Sequence, residues 1–364
     1  MKILKIFLFW RLGLLIITFL GSSVFPRLPN QGLGAIRLNQ NFDYWLSWAQ
    51  WDGGHYWQIA KNGYIATSDY AFFPLYPLLV RSISTLLSDN LILAGLLASN
   101  LAFLIFLIVF YEVAKKQFSQ KVALTTTVTF LVFPTTFFAV SMYSESLFLL
   151  SLVCFFYFLK GKKYLWASIM VSLASLTRLV GITLVVSLLY SYVSSLNFDF
   201  KKIDRKILLL FPATFGFIIY SLYLFASLND PVNYLTTQAF WQRSVTDPVS
   251  TIFTYIWAFV IGEHRPTNDY FDFAITILFI SILILGIKKI PSSWWISSML
   301  VILIPASSGT LTSMPRYLLA SLGAFVILGQ YLEIRPKIRN MLWAISLATQ
   351  AILAVRFING YWVA

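Results

Sequence analysis

The sequence is short of charge, of cysteine and of histidine. Charged residues fill 11% of its 364 positions, where soluble proteins carry about 25%. That deficit excludes an ordinary soluble domain, and an apolar content of 59% excludes a disordered chain. A lone cysteine, Cys154, excludes a disulfide framework. His55 and His264 are the only histidines, and no His/Cys/Asp group has the spacing of a structural zinc site. The chain also lacks a phosphate-cradling P-loop and a GxSxG nucleophile elbow, so ATP-driven transport and serine-hydrolase chemistry lose support. It has neither a low-complexity tract nor an internal repeat of the kind found in many transporters.

What the sequence has in quantity is apolar runs and aromatics: 33 Phe, 19 Tyr and 12 Trp, as expected of membrane–water interfaces. The first run, Ile3–Phe25, resembles a signal peptide, but no small-x-small cleavage site is clear near residues 21–25. A retained anchor is the better reading. Further runs long enough to span are Leu91–Val113, Val122–Val140, Leu147–Leu159, Ile207–Leu228, Phe271–Ile287, Trp294–Ser308, Tyr317–Leu332 and Ile338–Phe357. Tyr164–Leu196 is too long for one ordinary helix. Arg178 and Gly181 near its middle suggest two short ones.

The net charge of +13 admits three readings: nucleic-acid binding, anionic-lipid binding, or a topology signal. The basic residues come in small groups between apolar runs, at 2–5, 115–121, 160–163, 201–206, 288–289 and 335–339. They do not gather on one polar face, so nucleic acid is not an expected partner. The positive-inside rule places these groups in the cytoplasm, which requires an even number of spans between neighbouring groups. Between Lys5 and Lys115 the weakest of three runs, 71–87, carries two prolines and Arg81, and is therefore expected to lie at the outer interface. The expectation is one all-α integral membrane domain over 1–364 with about 11 transmembrane helices, N-terminus inside and C-terminus outside. Its two large outer loops are 26–90 and 229–270. The cytoplasmic side would hold 17 Lys/Arg against 4 Asp/Glu, and the outer side 9 against 10. The charge excess is thus an orientation signal, and chemistry is expected on the nearly neutral outer face.

On that face the first loop interleaves aromatic and polar residues from Trp51 to Tyr64. A helix beginning near Gly53 would place Tyr56, Trp57 and Ala60 on one face, resting on the bilayer, with Asp52 at its start. A carboxylate there is stabilised by the helix dipole; Asp52 also reads as a plain N-cap. Phe72–Leu78 reads as an aromatic belt or as the wall of a lipid groove. Glu145 stands at the start of an apolar run, where carboxylates are often functional but also favour the dipole. Arg178 and Arg316 lie at the outer boundary against the positive-inside bias. A guanidinium fork suits phosphate, and snorkelling to headgroups is the alternative. Lys61 is a further outer cation within the Trp51–Tyr64 segment. An oxygen-ligated divalent cation between Asp52 and Glu145 stays open; no other cofactor is implied.

Trp51-Asp52, Tyr56, Ile59-Ala60, Gly63-Tyr64 and Phe72-Phe73-Pro74-Leu75-Tyr76-Pro77 resemble the PIG-V-type mannosyltransferases, which add the second mannose in GPI-anchor assembly and have shorter bacterial relatives. Met142–Phe148, Thr177-Arg178 and Met314-Pro315-Arg316-Tyr317 match further blocks in the same order, over roughly residues 45–320. The resemblance implies a GT-C glycosyltransferase fold with interfacial helices in the first outer loop. It implies a polyprenyl-phosphate-linked donor, inversion at the anomeric carbon and action on the non-cytoplasmic face. Asp52 and Glu145 match the two acidic positions typical of that fold. The expected roles are catalysis by Asp52 and Glu145, and substrate binding by Arg178, Arg316, His55, Tyr56, Lys61, Tyr76, Tyr143 and Tyr317. The expected partners are the lipid-linked sugar, a glycolipid or envelope-glycan acceptor and the bilayer, in a bacterial cytoplasmic membrane. The rivals are a flippase of lipid-linked glycans, which predicts charges lining a membrane path, and another GT-C transferase such as a protein O-mannosyltransferase.

Overall fold

A computed structural model describes residues 2–28, 43–241 and 243–363. The stretch 29–42 of the first expected outer loop, and Gln242 of the second, lie outside the described residues. Among the described residues the chain is all-helical, with no β-strand. Five helices are long and apolar enough to cross a membrane: Lys2–Val24, Leu91–Gln117, Arg205–Leu228, Thr267–Leu285 and Pro336–Ile358. Shorter apolar helices include Tyr164–Thr177, Pro248–Val260, Ser292–Ala306 and Leu322–Glu333. The chain is therefore a multi-pass membrane protein. It packs as two compact units, Met1–Val153 with Gly329–Val363, and Cys154–Leu328.

In the first unit the longest helix, Leu91–Gln117, has clear end signals. The Asn90 side chain accepts the Leu93 N–H at 3.0 Å, and Lys115 and Lys116 occupy the last turn. Its 27 residues rise about 40 Å, beyond the roughly 30 Å of a hydrocarbon core. Phe103, Phe106 and Phe110 recur at helical spacing on one buried face. They pack with Phe130 at centroid distances of 5.0–6.2 Å. The run expected at Val122–Val140 is not one helix. It is Gln120–Leu131 followed by a 3-10 turn at Thr136–Val140, because Pro134 has no N–H and disfavours helix at the residue before it. The carbonyls freed at this break are met by Gln350 of the helix Pro336–Ile358. Its Nε2 donates to Leu131 O at 3.1 Å and Phe133 O at 2.7 Å, and its Oε1 accepts the Trp10 indole N–H at 2.8 Å.

In the second unit the long apolar stretch does divide into two short helices. Tyr164–Thr177 ends at Arg178, whose backbone is extended, and Leu184–Ser195 resumes after a 3-10 turn. Gly181 lies against the backbone of Ala174, where a Cβ would sit 2.3 Å from the carbonyl carbon. Only glycine permits this return. The second expected outer loop holds an apolar helix of its own, Pro248–Val260. Asp247 caps it by accepting the Ser250 N–H at 2.8 Å, with Pro248 as its first residue.

Candidate active site

Asp52 opens the helix Asp52–Asn62 and is half-buried. The residue before it, Trp51, has φ 58°, an uncommon conformation for a bulky side chain. The surrounding structure over-determines it. Trp48 O accepts the Met142 N–H at 2.9 Å, and Gln50 O accepts the Tyr143 hydroxyl at 3.1 Å. Tyr56 and Ser144 share a hydroxyl–hydroxyl hydrogen bond at 2.7 Å. Gly53 faces the same turn, and a Cβ there would lie 3.3 Å from Met142 O. The segment around Asp52 is therefore stitched to the turn that leads into Glu145, the buried first residue of the helix Glu145–Lys160.

Tyr76 and Tyr143 belong to the same scaffold. The Tyr76 hydroxyl donates to Gly95 O at 3.0 Å and meets Ser99 Oγ at 2.8 Å. Ser99 Oγ in turn donates to Tyr143 O at 3.2 Å. Complete burial pushes the Tyr76 phenol well above its usual range, so it stays a neutral hydrogen-bonding group. His55 is buried, stacked on Phe72 at 4.5 Å, and its Nδ1 lies 2.7 Å from Asp69 Oδ1. Asp69 also accepts the Ala66 N–H at 3.0 Å and is fully buried.

Two expectations for this loop are corrected. Of the helix face of Tyr56, Trp57 and Ala60, expected on the bilayer, Tyr56 and Ala60 are buried in the protein, with exposures of 5% and 2%, and Trp57 is half-buried. Phe72, Phe73 and Tyr76 are likewise packed inside the unit, and of the expected groove wall Leu78 is the exposed member. Helix Leu75–Ser84 has ten residues, too few to cross a bilayer. Lys61 is exposed in the last turn of its helix, with its ammonium 4.7 Å from the Trp57 ring centroid.

In the second unit, Arg178 is half-buried and Arg316 buried. Their guanidinium carbons lie 5.2 Å and 5.9 Å from the ring centroid of Tyr317. Arg316 and Tyr317 sit in a one-turn helix, Met314–Tyr317, entered through Ser313 at φ 70°. Asp272 Oδ2 accepts the Ser313 N–H at 3.2 Å and holds that turn. Arg243 completes the group: its Nη1 donates to the Tyr317 hydroxyl at 3.2 Å and its Nη2 to Thr312 O at 3.1 Å.

Sequence reasoning missed Asp69, Asp272 and Arg243. Arg243 carried a usable signal, since the charge pattern places it among the expected outer-face cations together with Arg178 and Arg316. Asp69 and Asp272 carried none beyond being acidic residues outside the basic groups. Among the described residues no three His, Cys, Asp or Glu side chains gather as a metal site.

Residues 2–323 match the family described as Mannosyltransferase (PIG-V), and the chain belongs to that family. Among curated proteins none matches the chain. Its fold is similar to that of ArnT from Cupriavidus metallidurans bound to undecaprenyl phosphate. The TM-score is 0.54 at 14% identity, covering 95% of this chain and 63% of that one. The apo form of the same enzyme gives 0.53, 14%, 92% and 61%. The apo oligosaccharyltransferase of Archaeoglobus fulgidus gives 0.47, 13%, 97% and 56%. The chain thus spans less than two thirds of the length of each of these structures. The likeness to ArnT shows that this helical chain shares its fold with the matched part of that protein.

Proposed function

We propose that this member of the PIG-V mannosyltransferase family moves a hexose, mannose by family, from a polyprenyl-phosphate-linked donor to a hydroxyl of a glycolipid or envelope glycan. Transfer takes place on the non-cytoplasmic face of a bacterial membrane, with about 11 spans placing the N-terminus inside. The acceptor oxygen attacks C1 of the sugar. A new C1–O bond forms as the C1–O(phosphate) bond breaks, and the bonding pair leaves with the phosphate. Attack from the face opposite the leaving group inverts C1. The hydroxyl proton passes to the Asp52 carboxylate. A carboxylate is a weak base for an alcohol at rest, but it suffices once the transition state acidifies the hydroxyl, if geometry is right.

Glu145 orients the acceptor, while Tyr56, Tyr76, Tyr143 and His55 fix the frame that carries both acids. Arg178 and Arg316, supported by Tyr317, stabilise the developing phosphate charge. The leaving group departs as a stable anion and needs no acid. Lys61 offers a headgroup contact from the exposed end of its helix. The observation that carries this reading is the triple link of Trp48, Gln50 and Tyr56 to Met142, Tyr143 and Ser144, which fixes the approach to both acids.

The test is purified protein in lipid nanodiscs given polyprenyl-phosphate mannose and lipid acceptors. Release of polyprenyl phosphate coupled to a mannosylated acceptor is expected. Donor translocation in proteoliposomes without release would favour the flippase reading instead. Arg178→Lys and Arg316→Lys should each weaken donor binding, and unchanged affinity in both would remove their phosphate role.

A further inference from the structure

Asp272 stands in the second turn of the helix Thr267–Leu285 and is 3% exposed. Only one of its carboxyl oxygens is bonded. Oδ2 accepts the Ser313 N–H at 3.2 Å, while Oδ1 is buried and meets no partner among the described residues. The bonded oxygen has a structural task, since Ser313 at φ 70° begins the turn Met314–Tyr317. That task needs one acceptor, whereas a carboxylate accepts at both oxygens. A buried polar atom left unmet is costly, so the second oxygen calls for a ligand.

Arg243 attracts the Asp272 carboxyl electrostatically, yet no hydrogen bond joins the two among the described residues. Its Nη1 and Nη2 donate to the Tyr317 hydroxyl and to Thr312 O, which uses two of the five N–H groups of a guanidinium. Asp269, one turn from Asp272, lies 3.6 Å from Arg265 instead. The loop 310–313 between these groups is fixed from a third side. Tyr255 Oη accepts the Leu311 N–H at 3.0 Å and shares a hydrogen bond with the Thr310 hydroxyl at 3.2 Å. An acid and a cation held near one another sort ligands by charge. A phosphate is drawn by Arg243 and repelled by Asp272, and an ammonium meets the reverse. A neutral hydroxyl donates one hydrogen bond and accepts others, so it satisfies both partners at once, through bonds that their charges strengthen.

We propose that Asp272 and Arg243 clamp one hydroxyl of the donor's hexose. The hydroxyl donates to Asp272 Oδ1 and accepts from an N–H of Arg243. This rests on the transferase reading above, which assigns the donor phosphate to Arg316. Asp272 holds the first residue of the turn that carries Arg316, and a hexose joined directly to that phosphate presents its hydroxyls beside the turn. A site built around a substrate hydroxyl rejects an analogue that lacks it, because its own polar groups are then left unpaired.

The experiment measures binding of polyprenyl-phosphate mannose, each of its monodeoxy forms and sugar-free polyprenyl phosphate to the full chain in nanodiscs. Asp272→Asn keeps one oxygen for the Ser313 N–H and puts an amide N–H in place of the unmet oxygen. The wild-type protein should bind one monodeoxy form about 10-fold or more weakly than the complete donor. Asp272→Asn should weaken the complete donor by a similar factor and leave that monodeoxy form and sugar-free polyprenyl phosphate little changed, so that the preference disappears. Arg243→Gln should narrow the same preference, and it serves should Asp272→Asn fail to fold. A purely structural Asp272 would instead loosen the turn that carries Arg316 and weaken all of these lipids alike. That result, or a preference that survives both substitutions, would overturn the clamp while leaving the transferase reading in place. If the wild-type protein binds none of the lipids, the donor reading falls and this inference with it.

Discussion

The hydrogen bond between Tyr56 and Ser144 supports a quantitative prediction about how the acid-bearing segments are held. Both residues are buried, at 5% and 0% exposure, and their hydroxyl oxygens are 2.7 Å apart. Tyr56 lies one turn beyond Asp52 on the same helix, and Ser144 directly precedes Glu145. Tyr56→Phe or Ser144→Ala leaves the other hydroxyl without this partner, at a cost of about 1–3 kcal/mol each. Making both changes removes both polar groups. The double variant should therefore cost less than the sum, by a coupling of about 0.5–1.5 kcal/mol. Equilibrium unfolding in mixed micelles measures the three stabilities, and initial transfer rates measure the functional cost. A misplacement of about 1 Å at a reacting group can lower a rate about 100-fold. Both single variants should thus lose turnover, and the double variant should lose little more than the worse single. Strictly additive energies, or single variants with unaltered turnover, would refute the claim that this bond positions the acids.

Gln350→Leu should destabilise the first unit by several kcal/mol, since it strands Leu131 O and the Trp10 indole N–H, each worth about 1–3 kcal/mol when buried and unmet, while Phe133 O keeps the Thr136 N–H at 3.0 Å. The same mixed-micelle unfolding checks it, and a loss near zero would contradict it. The helix Pro248–Val260 should fray in acid. Hydrogen bonds from the Ser250 hydroxyl and backbone N–H hold the Asp247 carboxyl below the usual carboxylate range. Its capping contribution is present above the unfolded pKa of about 4 and is lost as pH falls through the lower folded value. Amide exchange at residues 248–260 should quicken there, and Asp247→Ala should abolish that pH dependence.

The parts of this structure written in local chemistry were legible in the sequence. Gly181 and the polar Arg178 announced the break in 164–196, and the apolar run Leu91–Val113 followed by the basic group at 115–121 marked a long helix. Pro134 carried an equally plain signal, but hydropathy averaged over 122–140 hid it. The Asp247-Pro248 pair likewise announced a helix inside what hydropathy gave as a loop. The resemblance in residues 45–320 pointed to the family and, with it, to the all-helical fold. Contacts between distant segments were not legible. Nothing near Asp69 signals that it meets His55, and nothing near Arg243 signals Tyr317, because sequence periodicity reports only faces within one element. The strained φ of Trp51 and Ser313 also has no sequence signature, since both conformations are imposed by packing from elsewhere in the chain.

The central claim is that Asp52 takes the acceptor proton during sugar transfer from a polyprenyl-phosphate donor. Asp52→Asn keeps the size and polarity of the side chain and removes its basicity. The measurement is single-turnover release of polyprenyl phosphate by Asp52→Asn protein whose unfolding midpoint and donor affinity match wild type. A rate lower by a factor of about 100 or more is predicted; release at the wild-type rate would contradict the account.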